Sequence, residues 1–135
     1  MNVPLLVAGS LATLGATVHG VGGDVLVLRR LAPEGLPSSP FGGPRTTKAM
    51  IRATWHMTTI ALLTVGSALV LSGSALHGDT ARGIAMVAAA ATTGFAALVV
   101  GGAFARGPRS LIRHPGPAVL TAVTVLAWSG VLSAG

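Results

Sequence analysis

The chain has no cysteine and no tyrosine, only two tryptophans and three phenylalanines, and just three acidic residues against nine basic ones in 135 positions. Without cysteine there are no disulfides, no thiolate-ligated zinc or iron–sulfur cluster, no covalently attached haem and no thiol relay. Any metal or cofactor must therefore be held by His, Asp, Glu, Met or the backbone. The scarcity of aromatic rings leaves little on which bases could stack. The net charge of +6 also falls in short stretches between apolar runs, so nucleic acid is not an expected partner. Charged residues make up 9% of the chain, where soluble domains carry about 25%. That is too little to cover a water-facing surface.

What is present instead is long apolar sequence: 51% hydrophobic residues, with a mean hydropathy of +0.75. A membrane crossing takes ~20 mostly apolar residues. Four candidates meet this, at about 3–28, 53–75, 83–105 and 115–134. They use nearly the whole chain, so the expected fold is all-α, a single four-helix transmembrane bundle in the lipid bilayer. The opening "MNVPLLVAGSLATLGA" has no basic start and no clear small-x-small site, and reads as an uncleaved first span.

Eight of the nine basic residues lie in two loops. Arg29, Arg30, Arg45, Lys48 and Arg52 follow the first span, and Arg106, Arg109 and Arg113 follow the third. The positive-inside rule makes loops 29–52 and 106–114 cytoplasmic and puts both termini outside, in a multi-pass protein of the cell membrane. The first loop contains "APEGLPSSPFGGPRTT", rich in Pro and Gly, which fits either an ordered turn or a flexible linker. The outer turn "SGSALHGDTARG" is short, so the second and third spans should be antiparallel neighbours. His77 and Asp79 there read as part of a solvated turn.

Helices in lipid associate by close contact along rows of small residues. Ala8, Ala12, Ala16 and Gly20 form one i+4 row, continued by Asp24, and Ala85, Ala89, Thr93, Ala97 and Gly101 form another. The first row places Asp24 on a packed face.

An ionisable group within a span costs roughly 2.5–3.5 kcal/mol on insertion scales, so it normally faces the interior and finds a partner. At ~1.5 Å per residue, Asp24 lies roughly 7 Å and His19 roughly 15 Å inside Arg29, while His56 lies roughly 6 Å inside Arg52. His114 opens the fourth span in "LIRHPGP". Three imidazoles, His19, His56 and His114, with the Asp24 carboxylate suit Zn, Fe, Mn or Cu as a divalent transition metal. His19 and Asp24 are about 140° apart on an ideal helix, so both reach one ion only if the glycines at 20, 22 and 23 loosen the turn. Each residue also has a plainer reading. His19 can bond a neighbouring helix, His56 can anchor at the interface beside Trp55, His114 can be solvated, and Asp24 can pair with Arg52, His56 or Arg29. Haem b is the competing cofactor, with two histidines as axial ligands and edge arginines for the propionates.

These residues carry a resemblance. "HGVGGD" at 19–24, "WH" at 55–56 and "HP" at 114–115 resemble the pattern of a group of small bacterial four-span membrane proteins, His-x3-Gly-Glu, Trp-His and His-Pro, with Asp24 here in place of Glu. The resemblance implies a shared site, not a particular reaction. Three functions are expected from the whole reading. The first is intramembrane metal binding, as a small metalloenzyme or redox protein acting on a lipophilic molecule. The second is an accessory subunit of a larger membrane complex. The third is a small homo-oligomeric, proton-coupled transporter, with Asp24 and His56 relaying protons.

Overall fold

The structure, a computed structural model, describes residues 1–107, 109 and 114–133. Residues 108 and 110–113 of the expected loop 106–114, with Arg113, and the expected end of the last span at 134 lie outside the described residues. Four helical segments are long and apolar enough to cross a membrane: Val3–Arg30, Pro44–Ser74, Gly78–Ala105 and Pro115–Leu132. They are called the first to fourth helix below. The four pack in a ring in which the first touches the second and fourth, and the third touches the second and fourth.

The second helix begins at Pro44, nine residues before the apolar stretch does. Proline at the first helical turn has its φ pre-set and no N–H to satisfy. Arg45, Lys48 and Arg52 therefore continue the helix beyond its apolar part. The third helix likewise begins at Gly78, with His77 as its N-cap and Asp79 in its first turn, where a carboxylate suits the helix dipole. Gly78 has φ 61°, a left-handed conformation that residues with a Cβ rarely adopt. Within the Pro/Gly-rich loop, Ser39 and Gly42 exchange backbone hydrogen bonds of 2.8 and 3.0 Å, and Thr47 donates to the Pro37 carbonyl at 2.8 Å.

The interior is made of small side chains. Ala8, Ala12, Ala85, Ala88, Ala89 and Ala127 are buried around Leu5, Leu69, Val123 and Val131. Large residues such as Leu14, Ile60, Val87 and Leu98 face outward. The first and second helices meet most closely at two glycines. A Cβ on Gly9 would lie 2.6 Å from the Gly66 carbonyl oxygen, and one on Gly66 would lie 3.0 Å from that of Gly9.

The row Ala8, Ala12, Ala16, Gly20 and Asp24 is buried throughout, as expected. The row on the third helix is not. Ala85 and Ala89 are buried, but Thr93, Ala97 and Gly101 are exposed, and the packed face continues through Thr92, Ala96 and Ala103. An i+4 row drifts by roughly 40° per step on a 3.6-residue helix, so a straight neighbour is followed by alternating steps of three and four. On the first helix, the π-helical turn Val18–Gly22 offsets the drift for the last members of the row, Gly20 and Asp24.

Candidate functional site

The π turn Val18–Gly22 falls at the glycines at 20 and 22 and is followed by Gly23, and π-bulges often occur at functional sites. Opposite it, the second helix presents Arg52, Trp55, His56 and Thr59 at helical i, i+3, i+4 and i+7 spacing on one face. These two segments build the site.

Trp55 closes the π turn. Its indole N–H donates to the His19 carbonyl at 3.0 Å, and its ring stacks on the His19 imidazole with centroids 4.5 Å apart and planes 15° from parallel. Gly23 makes this possible, since a Cβ there would lie 2.5 Å from Trp55 Nε1 and nearer still to Cε2 and Cζ2. The Nδ1 of His19 is 3.1 Å from the Thr59 hydroxyl, which itself donates to the Trp55 carbonyl at 3.1 Å. The opened turn thus serves a tight aromatic contact between helices.

Asp24, one turn further along, is buried at 8% exposure. Arg29 Nε donates to Asp24 Oδ2 at 3.0 Å. Arg52 Nη2 is 3.2 Å and His56 Nε2 3.7 Å from Asp24 Oδ1. Oδ1 takes no aligned hydrogen bond, so its attraction to Arg52 is that of an ion pair without hydrogen-bond geometry. The guanidinium groups are mostly exposed, with side chains at 68% and 58% for Arg29 and Arg52. Two arginines on one carboxylate leave the cluster with a net positive charge before His56 is counted.

Beside the cluster runs a cleft of about 430 Å³ between the first and second helices. Asp24, Arg29 and His56 line its polar end, and Val21, Val25 and Leu63 line its apolar walls.

Of the four expected ligands, Asp24 and His56 come together. His19 lies alongside but is engaged by Trp55 and Thr59. His114 is the exposed N-cap residue of the fourth helix, with no side-chain capping bond. Among the described residues, no three His, Cys, Asp or Glu side chains are grouped so as to hold a metal ion. The residues present fit a metal only as a pair. The stacking of His19 on Trp55 was not foreseen, although the spacing of Arg52, Trp55, His56 and Thr59 on one helical face was there to be read.

No family model, curated protein or solved structure matches the chain. The class that the fold defines is an all-helical bundle with four helices of membrane-crossing length and composition.

Proposed function

We propose that the protein is an integral membrane protein that binds an anionic lipophile, a fatty acid or an acidic phospholipid, in the cleft between its first and second helices. The observation that carries this reading is the arginine at the cleft. Asp24 accepts from Arg29 Nε, which orients that guanidinium and leaves its Nη groups for a ligand in the cleft that Arg29 lines, while Arg52 Nη2, 3.2 Å from Asp24 Oδ1, adds a second positive charge beside it. A guanidinium fork suits phosphate or carboxylate oxygens. Val21, Val25 and Leu63 suit an acyl chain. Asp24 acts as a positioning residue, and His56 adds an imidazole beside the anion. With the basic end cytoplasmic, the site faces the leaflet where acidic lipids attract arginine clusters.

The test is native mass spectrometry in neutral detergent, titrating oleate, phosphatidylglycerol and phosphatidylcholine. The anionic lipids should be retained, phosphatidylcholine should not, and Arg29→Gln with Arg52→Gln should weaken retention at least tenfold. Equal retention of all three lipids, or retention unaffected by the double variant, would refute the proposal.

A metal reading is favoured by one observation. Asp24 Oδ1 and His56 Nε2 are 3.7 Å apart, a gap that one ion about 2.0–2.2 Å from each atom can bridge. In that reading the pair would supply two of the ligands to Zn, Fe, Mn or Cu. Elemental analysis and an absorption spectrum of purified protein beside His56→Ala and Asp24→Asn decide it. About one metal per chain, lost in both variants, supports the ion, and a Soret band identifies haem b.

A further inference from the structure

A second cleft, of about 460 Å³, lies against the second helix and shares no lining residue with the arginine cleft. Met50, Ile51 and Trp55 give it mainly apolar walls, and no Asp, Glu, Lys or Arg lines it. His19 is its one ionisable lining residue.

The hydrogen-bond direction at His19 is set by its neighbour. The Thr59 hydroxyl has one proton and donates it to the Trp55 carbonyl at 3.1 Å. Thr59 can then only accept from His19, whose Nδ1 is 3.1 Å away. Were Thr59 to donate to Nδ1 instead, one hydrogen bond would remain where two are available, and His19 would carry an unpaired Nε2–H. The neutral imidazole therefore holds its proton on Nδ1. Its Nε2 keeps a lone pair with no hydrogen-bond partner among the described residues, and this atom is accessible in the half-buried ring.

The hydroxyls that line the cleft are committed in the same sense. Thr47 donates to the Pro37 carbonyl at 2.8 Å, Thr58 to the Thr54 carbonyl at 3.1 Å, and Ser39 to the Gly42 carbonyl at 3.5 Å. Their protons are spent on backbone carbonyls, and oxygen lone pairs are what they have left. Thr54, on an exposed stretch of the helix, is the one lining hydroxyl not committed in this way among the described residues. A site of this size takes its selectivity from a few placed polar groups. Here those groups mostly accept, and there is no cation to hold an anion.

We infer that this cleft binds an uncharged lipophile through a hydroxyl that donates to His19 Nε2, the chemistry of a quinol. An aliphatic lipid alcohol such as diacylglycerol offers the same donor. A quinone, which has carbonyl oxygens and no O–H, does not. Thr59 acts as a positioning residue, holding the imidazole in the tautomer that accepts.

The experiment uses the full chain in neutral detergent with isotope-labelled histidine nitrogens, read by long-range proton–nitrogen NMR and assigned with His19→Gln. The ligand-free protein should show His19 protonated at Nδ1 and bare at Nε2. A short-chain quinol kept reduced, the matching quinone and dioctanoylglycerol are then titrated separately. A saturable shift at His19 Nε2 with the quinol identifies a quinol, and one with dioctanoylglycerol alone identifies a lipid alcohol. In either case the quinone should bind at least tenfold more weakly, since its oxygens would face a lone pair. Thr59→Val keeps the side-chain shape but removes the acceptor that fixes the tautomer, and should shrink that preference. A proton on Nε2 in the ligand-free protein, equal binding of quinone, or no saturable shift with either hydroxyl compound would overturn the inference.

Discussion

Gly23→Ala is the sharpest perturbation available in the π-turn region. Gly23 has ordinary helical dihedrals, φ −66° and ψ −39°, so alanine is acceptable to the backbone and should by itself add about 0.5–1 kcal/mol of helix stability. The added methyl, however, would occupy space now filled by the Trp55 indole. The ring cannot simply rotate aside, because its N–H bonds the His19 carbonyl and its face lies on the His19 imidazole. Overpacking of this kind costs about 1–3 kcal/mol, and the lost indole bond contributes about 0.5–1.5 kcal/mol of it or more. The clash outweighs the propensity gain, so the net effect is destabilising. Gly22→Ala is the matched control. It has φ −62° and ψ −43°, and its Cβ would meet only Val18 Cγ1 at an ordinary 3.9 Å. Thermal unfolding in detergent, with Trp55 emission read in a Trp128→Phe background, should show Gly23→Ala several degrees less stable with shifted emission, and Gly22→Ala unchanged or better. Equal stability of the two variants with unchanged emission would refute the packing argument.

Other expectations follow from the same contacts. Gly9→Ala should cost about 1–3 kcal/mol, since its Cβ would meet the Gly66 carbonyl backbone at 2.6 Å; thermal unfolding beside the unobstructed Gly94→Ala checks it. Trp55→Phe keeps a ring against His19 but loses the indole donor; the His19 carbonyl still accepts from the Gly23 N–H, so thermal unfolding should show the loss of one hydrogen bond, about 0.5–1.5 kcal/mol. Asp24→Asn should be milder than Arg29→Gln with Arg52→Gln, because the exposed arginines can turn to water while the buried carboxylate cannot. The order of melting temperatures reads this directly, and the reverse order would contradict the assigned burial.

Much of the frame is legible in the sequence, because hydropathy alone marks four stretches long enough to cross a bilayer. The packed row from Ala8 to Asp24 is also legible, since small residues repeat on it. The corresponding row on the third helix misleads beyond Ala89, because a regular helix drifts away from a four-residue repeat and has no π turn to correct it. The start of the second helix at Pro44 is hidden by its own charges: Arg45, Lys48 and Arg52 look like loop residues until the proline is read as a helix start. At the site, the burden on Asp24 to find a partner is visible in advance, and Arg29, Arg52 and His56 are the partners it finds. The fate of His19 is not visible, because stacking on Trp55 depends on the clearance above Gly23. His77 and Asp79 read as a solvated turn and are exposed; that they also line a cavity at their end of the bundle depends on three helix ends meeting at Asn2.

The central claim, that the cleft between the first and second helices holds an anionic lipophile, is tested most directly by cross-linking. A photoactivatable fatty acid would be added to the protein in neutral detergent, irradiated, and its attachment sites mapped by peptide mass spectrometry. Attachment should concentrate at Val21, Val25 and Leu63, and fall sharply when Arg29 and Arg52 are both changed to Gln. Labelling spread evenly over outward residues such as Leu14, Val87 and Leu98, with no change in the double variant, would contradict it.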